Sequence, residues 1–321
     1  MPAKTIKTIR HTIRLQGFDL ENGKISFSLL AKLNEQLLRL AESTLRSFVN
    51  GNSTLKRGKQ AEWLTQSLDF NLSGIKSGST ILEVDAPLLK ETMRNMQVPM
   101  FGELPIDDVA ANSALGLGLY AFDKAIQGDV NSFILDKHLL KEMRHFGKFL
   151  SKKGSSIEVS SGKKSKTIRL KKEVIDKIKT IEDKTPASIK TKVTGVLDVL
   201  KHSNNQLELI VDKTKRIRAV LSEQLAISEL THFFGKEVTV SGTANYNPSG
   251  DVISFEISGY KSVNKKEKYF SQLPKPLFEE TDLKRIANEQ NYKGYHKEKV
   301  KKITGQMEVE ESLEDLLAAL K

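Results

Sequence analysis

The sequence predicts an α+β protein whose C-terminal half carries a compact all-β block. Three observations lead there. Apolar stripes at helical spacing run through much of the first 150 residues, short alternating segments accompany them, and residues 189–262 hold five alternating segments with one helical stretch. At 321 residues the chain is long for one core, so more than one domain is expected. The divisions fall at an α+β domain over 1–150, a basic ribbon and helix connector over 151–188, the β block over 189–262, and a polar tether with an amphipathic helix over 263–321.

The first strand is "IRHTIRL", with Ile9, His11, Ile13 and Leu15 on one face and Arg10, Thr12 and Arg14 on the other. After Asn22-Gly23, Leu30, Leu33, Leu37, Leu40, Ala41 and Phe48 fall at i, i+3, i+4, i+7 spacing, which predicts an amphipathic helix stopped by "NGN". "LTQSLDFNLSG" and "STILEVDAP" read as a hairpin. "DDVAANSALGLGLYAFDKAI" predicts a helix whose small residues let a neighbour approach closely. Its Gly116-Leu-Gly118 is part of a dinucleotide fingerprint only in appearance, since no strand precedes it and the third glycine is missing. A further helix buries Leu135, Leu139, Met143, Phe146 and Leu150. Then come a β-ribbon turning at Ser161-Gly162, a short helix, and a linker at Pro186.

Composition sets the outer limits. With 38% hydrophobic and 28% charged residues the chain reads as a soluble globular protein. No apolar run approaches the ~18 residues of a membrane span, and "MPAKTIKTIRHTIRLQ" lacks the apolar block of a secretory signal. Zero cysteines exclude disulfides, thiolate catalysis and cysteine-ligated metals. A cytoplasmic location suits all three observations. The net charge of +11 is unevenly spread: residues 151–186 hold eleven basic and five acidic side chains. Such a segment, with Lys163, Lys164 and Lys166 at the ribbon tip, is what a phosphate-binding surface needs, because neutralised phosphates release counterions. A solvated Lys-rich connector is the alternative.

Residues 189–262 have a distinctive order. "KTKVTGVLDVL", "QLELIVD" and "KRIRAVL" are strands, and "SEQLAISELTHFFG" is a helix with Ser222 as N-cap and Gly235 beyond its end. "VTVSGTANY" and "VISFEISGY" close the block as a hairpin around "NYNPSG". This β-β-β-α-β-β succession resembles the OB-fold, a five-stranded Greek-key barrel with its helix between strands 3 and 4. An SH3-like barrel is the nearest competitor. More loosely, the whole chain resembles uncharacterised bacterial proteins in which an α+β part precedes a small barrel.

The OB resemblance implies an oligonucleotide site on strands 2 and 3, flanked by the 1–2 and 4–5 loops. Those positions offer Lys201 and Asn205, then Lys213, Lys215, Arg216 and Arg218, then Tyr246 and Asn247. Tyr246 would stack on a base, and Asn205 or Asn247 would hydrogen-bond to one. Phe233, Phe234 and Phe255 read as core. With a single exposed ring, backbone electrostatics would have to dominate.

Catalytic motifs are absent from the sequence. "SSGKKSK" lacks the leading glycine of a phosphate-binding loop. His138, Glu142 and His145 share one helix face at a spacing that zinc accepts, but the same spacing arises on ordinary surface helices. Asp69, Glu83 and Asp85 suggest a nuclease, without the lysine expected just after Glu83. No cofactor, metal or catalytic residue is therefore assigned.

In the C-terminal "MEVEESLEDLLAALK", Leu313, Leu316, Leu317 and Leu320 form an apolar stripe behind an acidic first turn. It suits docking in a protein groove, on a partner or on this chain's own N-terminal domain, and not on a membrane. The expectation is a non-enzymatic nucleic-acid-binding accessory protein, DNA or RNA undecided. The alternative is a protein-interaction module, such as an antitoxin, immunity or assembly subunit, that grips its partner through this helix.

Overall fold

The computed structural model describes residues 6–18, 24–55, 61–76, 80–93, 106–150, 154–162, 167–202, 205–212, 215–222, 224–264 and 269–276. The chain divides into two units, Met1–Phe278 and Glu279–Lys321; the second, with the predicted C-terminal helix, lies outside the described residues, as do Lys163, Lys164, Lys166 and Lys213.

Strand β1 (Thr8–Gln16) is the centre of an antiparallel sheet because its two faces have opposite chemistry. Ile13 and Leu15 point into the core, while Arg10 and Arg14 stay outside. With β2 (Asn71–Lys76), β3 (Thr80–Pro87), β4 (Ser156–Ser161) and β5 (Ile168–Leu170) the sheet order is β2-β3-β1-β4-β5. The outer face is laced by ion pairs. Arg10 donates to both Asp85 oxygens at 2.8 and 3.0 Å, Lys76 meets Glu83 at 2.5 Å, and Arg169 meets Glu158 at 3.0 Å. Glu83 and Asp85 are thus spoken for by basic neighbours, and the Arg10 guanidinium holds the Asp85 carboxyl below its usual range.

The inner face is covered by helices α1 (Phe27–Asn50), α2 (Glu62–Ser67), α3 (Leu89–Thr92), α4 (Ile106–Ala110), α5 (Ala114–Gln127), α6 (Lys137–His145) and α7 (Lys172–Lys184), with α1, α5, α6 and α7 forming the main layer. Ser26 caps α1 through a bond from the Leu29 amide (3.2 Å), and Gly51 ends it at φ +68. The small residues of α5 act as foreseen: a Cβ at Gly118 would lie 3.2 Å from the Leu40 side chain of α1.

Two local readings differ from expectation. "EWLTQS" is helix α2, held by Gln66 Nε2 bonding Glu62 (3.0 Å) and by burial of Leu64, so strand β2 begins only at Asn71. The ribbon expected as a connector is β4 and β5 of the N-terminal sheet, and α7 packs on α6 and α5. Ile157, Val159, Ile168 and Leu170 are buried there, which alternation alone could not assign to any one core.

Strands β6 (Ile189–Lys201), β7 (Gln206–Val211), β8 (Lys215–Leu221), β9 (Glu237–Tyr246) and β10 (Val252–Ser262) close into a barrel of order β10-β8-β7-β6-β9. This five-stranded barrel is compatible with the OB-like form. Long β6 serves two partners, β9 through its first half and β7 through its second, and β10 runs parallel to β8. The strands crowd where they bend: a Cβ on Gly242 would come within 2.0 Å of the Glu256 carbonyl oxygen. The intervening helix α8 (Ile227–Leu230) is shorter than predicted, continued by a 3₁₀ turn at Thr231–Phe233. Ala226, not Ser222, precedes it; the Ser222 amide instead bonds the Ile257 carbonyl at 2.9 Å. The barrel fills with its own cluster, including Val193, Leu209, Ile217, Val240, Phe255 and Ile257.

Barrel and N-terminal part share hydrogen bonds. The buried Gln206 side chain donates to the Val49 carbonyl at the end of α1 (2.5 Å), and the Ser249 amide donates to Val130 O (3.0 Å). No helix among the described residues is long and apolar enough to cross a membrane.

Candidate nucleic-acid interface

The outward side chains of β7 and β8 include Glu208, Arg216 and Arg218, because their neighbours Leu207, Leu209, Ile217 and Ala219 fill the barrel. The two arginines do not stand alone. Arg216 Nη1 lies 3.1 Å from Asp198 Oδ2 and 3.3 Å from Glu208 Oε2, and Arg218 Nε lies 3.6 Å from Glu208 Oε1. Both remain about half exposed, at 57% and 47%. The Arg216–Asp198 pair is exposed on both sides and contributes only about 0–1 kcal/mol, so an incoming phosphate can replace that carboxylate at modest cost, whereas Glu208 is only 16% exposed.

Around Arg216 the surface sinks into a groove of about 570 Å³. Lys215, Arg216 and Lys275 bring positive charge, Asp212 and Asp251 oppose part of it, and Phe133 supplies a ring that is 49% exposed. The groove is composite. Phe133 comes from the loop between α5 and α6, while Lys275 comes from the segment 269–276, where Leu273 packs on the barrel core. Lys192 Nζ stands 6.0 Å from the centre of the Phe270 ring in the same segment.

Of the residues named from the sequence, Lys215 and Arg216 meet in this groove, Arg218 is beside it on β8, and Asn205 and Lys201 sit at the opposite end of β7. Asn205 is exposed in the left-handed conformation, φ 51, so it makes the turn into β7.

Three readings need correction. Tyr246 is only 1% exposed and belongs to the barrel core, with its hydroxyl buried without a partner; burial pushes that hydroxyl up to about 12. Its position shares the parity of Val238 and Val240, and that alternation was the signal for an inward ring. Asn247 is fully buried. Its Oδ1 accepts from Ser249 Oγ (2.7 Å) and the Asp251 amide (2.8 Å), so it builds the 4–5 loop from within. Phe234, expected in the core, is 57% exposed, while Phe233 packs half-buried against Tyr260 with ring centres 5.8 Å apart.

Sequence reasoning missed Phe133 and Lys275. Each lies outside any periodic element, and only the tertiary fold brings them to Arg216.

His138, Glu142 and His145 do converge. Glu142 is buried, with His138 Nε2 at 4.0 Å and His145 Nδ1 at 3.5 Å. Their neighbours point to a structural network. Ser53 Oγ meets His138 Nδ1 at 3.2 Å and donates to Asp136, which caps α6 by accepting from the Leu139 amide at 2.7 Å. Among the described residues no group of three or more acidic or imidazole side chains is placed to hold a metal.

Set against known proteins, the chain matches no family model, no curated protein and no solved structure.

Proposed function

We propose that this is a nucleic-acid-binding accessory protein, acting through an OB-type barrel without catalysis of its own. What supports the reading is the composite groove, where Lys215, Arg216 and Lys275 surround the half-exposed Phe133 ring at one end of a closed five-stranded barrel. A cationic channel with a ring to stack on is the combination that holds single strands without reading sequence. The other end of the strand 2–3 face, usual in OB-type recognition, is occupied by the Gln206–Val49 contact. The strand is therefore expected to follow the groove beside β8 and β10, with the Lys163–Lys166 ribbon as an extension of its footprint.

Fluorescence anisotropy with single-stranded DNA, duplex DNA and single-stranded RNA tests this. Micromolar binding to one of them that weakens steeply with salt, and is lost in a Lys215→Ala/Arg216→Ala variant, is the expected result. Absence of binding at low salt removes the reading.

A second reading has an observation of its own. Phe27 is 90% exposed and lines an apolar groove of about 320 Å³ with Leu72 of β2. Apolar surface of that kind favours a protein partner. Whether the leucine stripe at Leu313, Leu316, Leu317 and Leu320 also grips a partner is tested by deleting 305–321 and assaying complex formation beside nucleic-acid affinity.

A further inference from the structure

β2 is the outermost strand of the N-terminal sheet beyond β3, so one edge of its backbone has no strand beside it among the described residues. Sheet edges are ordinarily blunted by brevity, charge or proline, because free amides and carbonyls recruit other strands. The opposite edge obeys: β5 is three residues long, with Ile168 and Leu170 buried and Arg169 outside. β2 does not. It has six residues and no proline, and its single charge, Lys76, is held by Glu83 at 2.5 Å.

Its apolar residues are placed for pairing. Leu72 and Ile75 are three apart, which in a regular strand puts them on opposite faces. The irregularity between Leu72 and Gly74 cancels this. Leu72 lies opposite Val84 and Ile75 opposite Leu82, both buried on the inner face of β3. The helix layer nevertheless leaves Leu72 46% and Ile75 44% exposed. Leu72 borders the apolar groove of about 320 Å³ whose other wall includes Leu30 and Asn34 of α1 and the exposed Phe27.

We infer that this edge pairs with the same edge of a second copy of the chain, β2 antiparallel to β2 about a twofold axis between Ser73 and Gly74. The inference rests on the second reading above, in which the groove takes a protein, and names that protein. What selects a second copy is that the strand complements itself. The axis sets Leu72 against Ile75 of the second copy, and Ile75 against its Leu72, so apolar meets apolar twice. Lys76 falls opposite Asn71, and no like charges meet. An axis normal to the sheet also keeps both inner faces on one side. The two five-stranded sheets then run on into one another, with both apolar grooves beside the shared edge.

Sedimentation velocity of nuclease-treated, full-length protein over a micromolar concentration series tests this. A reversible monomer–dimer equilibrium is expected. Each copy carries a net charge of +11, so the dimer should strengthen from low to moderate salt as that repulsion is screened. Strand binding in the barrel groove has the opposite salt dependence. Leu72→Glu and Ile75→Lys should each weaken the dimer at least about tenfold, since a twofold interface meets every substitution twice. Mixing the two variants should restore a dimer. The carboxylate introduced by Leu72→Glu then faces the ammonium introduced by Ile75→Lys, while the other Leu72–Ile75 contact is untouched. That recovery also shows that both variants fold. A chain that stays monomeric throughout the series overturns the inference and leaves the groove to a different protein, so the two failures are separate. A dimer that neither variant weakens, a mixture that restores nothing, or association that falls with salt overturns it as well.

Discussion

His11 Nε2 lies 2.7 Å from Ser113 Oγ, and both side chains are wholly withdrawn from water. The contact ties the central strand β1 to the first turn of α5, because the same Ser113 Oγ accepts the Gly116 amide at 3.0 Å. His11 Nδ1 is buried without a partner. Burial therefore lowers the imidazole from 6.5 to about 4, with Asp85 pulling only weakly the other way.

The sign of the linkage follows. The folded protein resists protonating His11, whereas the unfolded chain takes a proton near pH 6.5. Stability from this site is complete above 6.5, declines as pH falls, and is gone below 4, for a total of about 3 kcal/mol. Thermal melts of the wild type should show a falling midpoint between pH 6.5 and 4. A His11→Leu variant, whatever its own stability, should lose that part of the pH slope; an unchanged slope would mean His11 charges freely in the fold.

Glu208 holds two arginines at once. In Glu208→Gln, Arg218 is released toward solvent while Arg216 keeps Asp198 at 3.1 Å, and single-strand affinity at low salt should rise several-fold, with a salt slope steeper by about one. Anisotropy titrations at several salt concentrations read both quantities. Weaker binding in this variant would place the nucleic acid elsewhere.

Gln206 is a buried side-chain link between the barrel and the rest of the protein, beside the Ser249–Val130 backbone bond. Gln206→Ala leaves the Val49 carbonyl without its donor, at a cost of about 1–3 kcal/mol. Amide exchange should quicken at the end of α1 and at the start of β7 before it quickens in either core. Exchange that is uniform, or unchanged, would show that the two parts are held by other contacts.

Tyr246 separates packing from recognition. Tyr246→Phe removes a buried hydroxyl with no partner and should leave stability unchanged or raise it by up to about 1 kcal/mol. Tyr246→Ala should cost about 3–5 kcal/mol through the cavity it leaves. Urea denaturation checks both, and the Phe variant should bind oligonucleotides as the wild type does.

Much of this protein is local and was readable. The stripe Leu135, Leu139, Met143, Phe146 and Leu150 is buried as its spacing required, and the strand–strand–strand–helix–strand–strand order produced a closed barrel. These follow because the periods of helix and strand are properties of the backbone, and apolar side chains at those periods have one favourable side. What failed did so at the ends of elements. The pattern around α2 reads as strand and that around α8 as a longer helix, because a few residues of pattern do not separate competing local structures.

The candidate interface was less legible. Lys215, Arg216 and Arg218 could be named from an alternating strand, but not the carboxylates of Asp198 and Glu208 that face them from neighbouring strands. Phe133 and Lys275 reach Arg216 from segments 83 residues before and 59 residues after it in sequence. The sequence by itself determined which side chains face in or out along the long helices and most of the strands, since that depends on neighbours one or two turns away. Only the tertiary structure decided which outward charges neutralise one another, which rings border them, and that the basic ribbon completes the N-terminal sheet. Those are pair interactions across long chain separations, and their energies exist only once the chain has closed on itself.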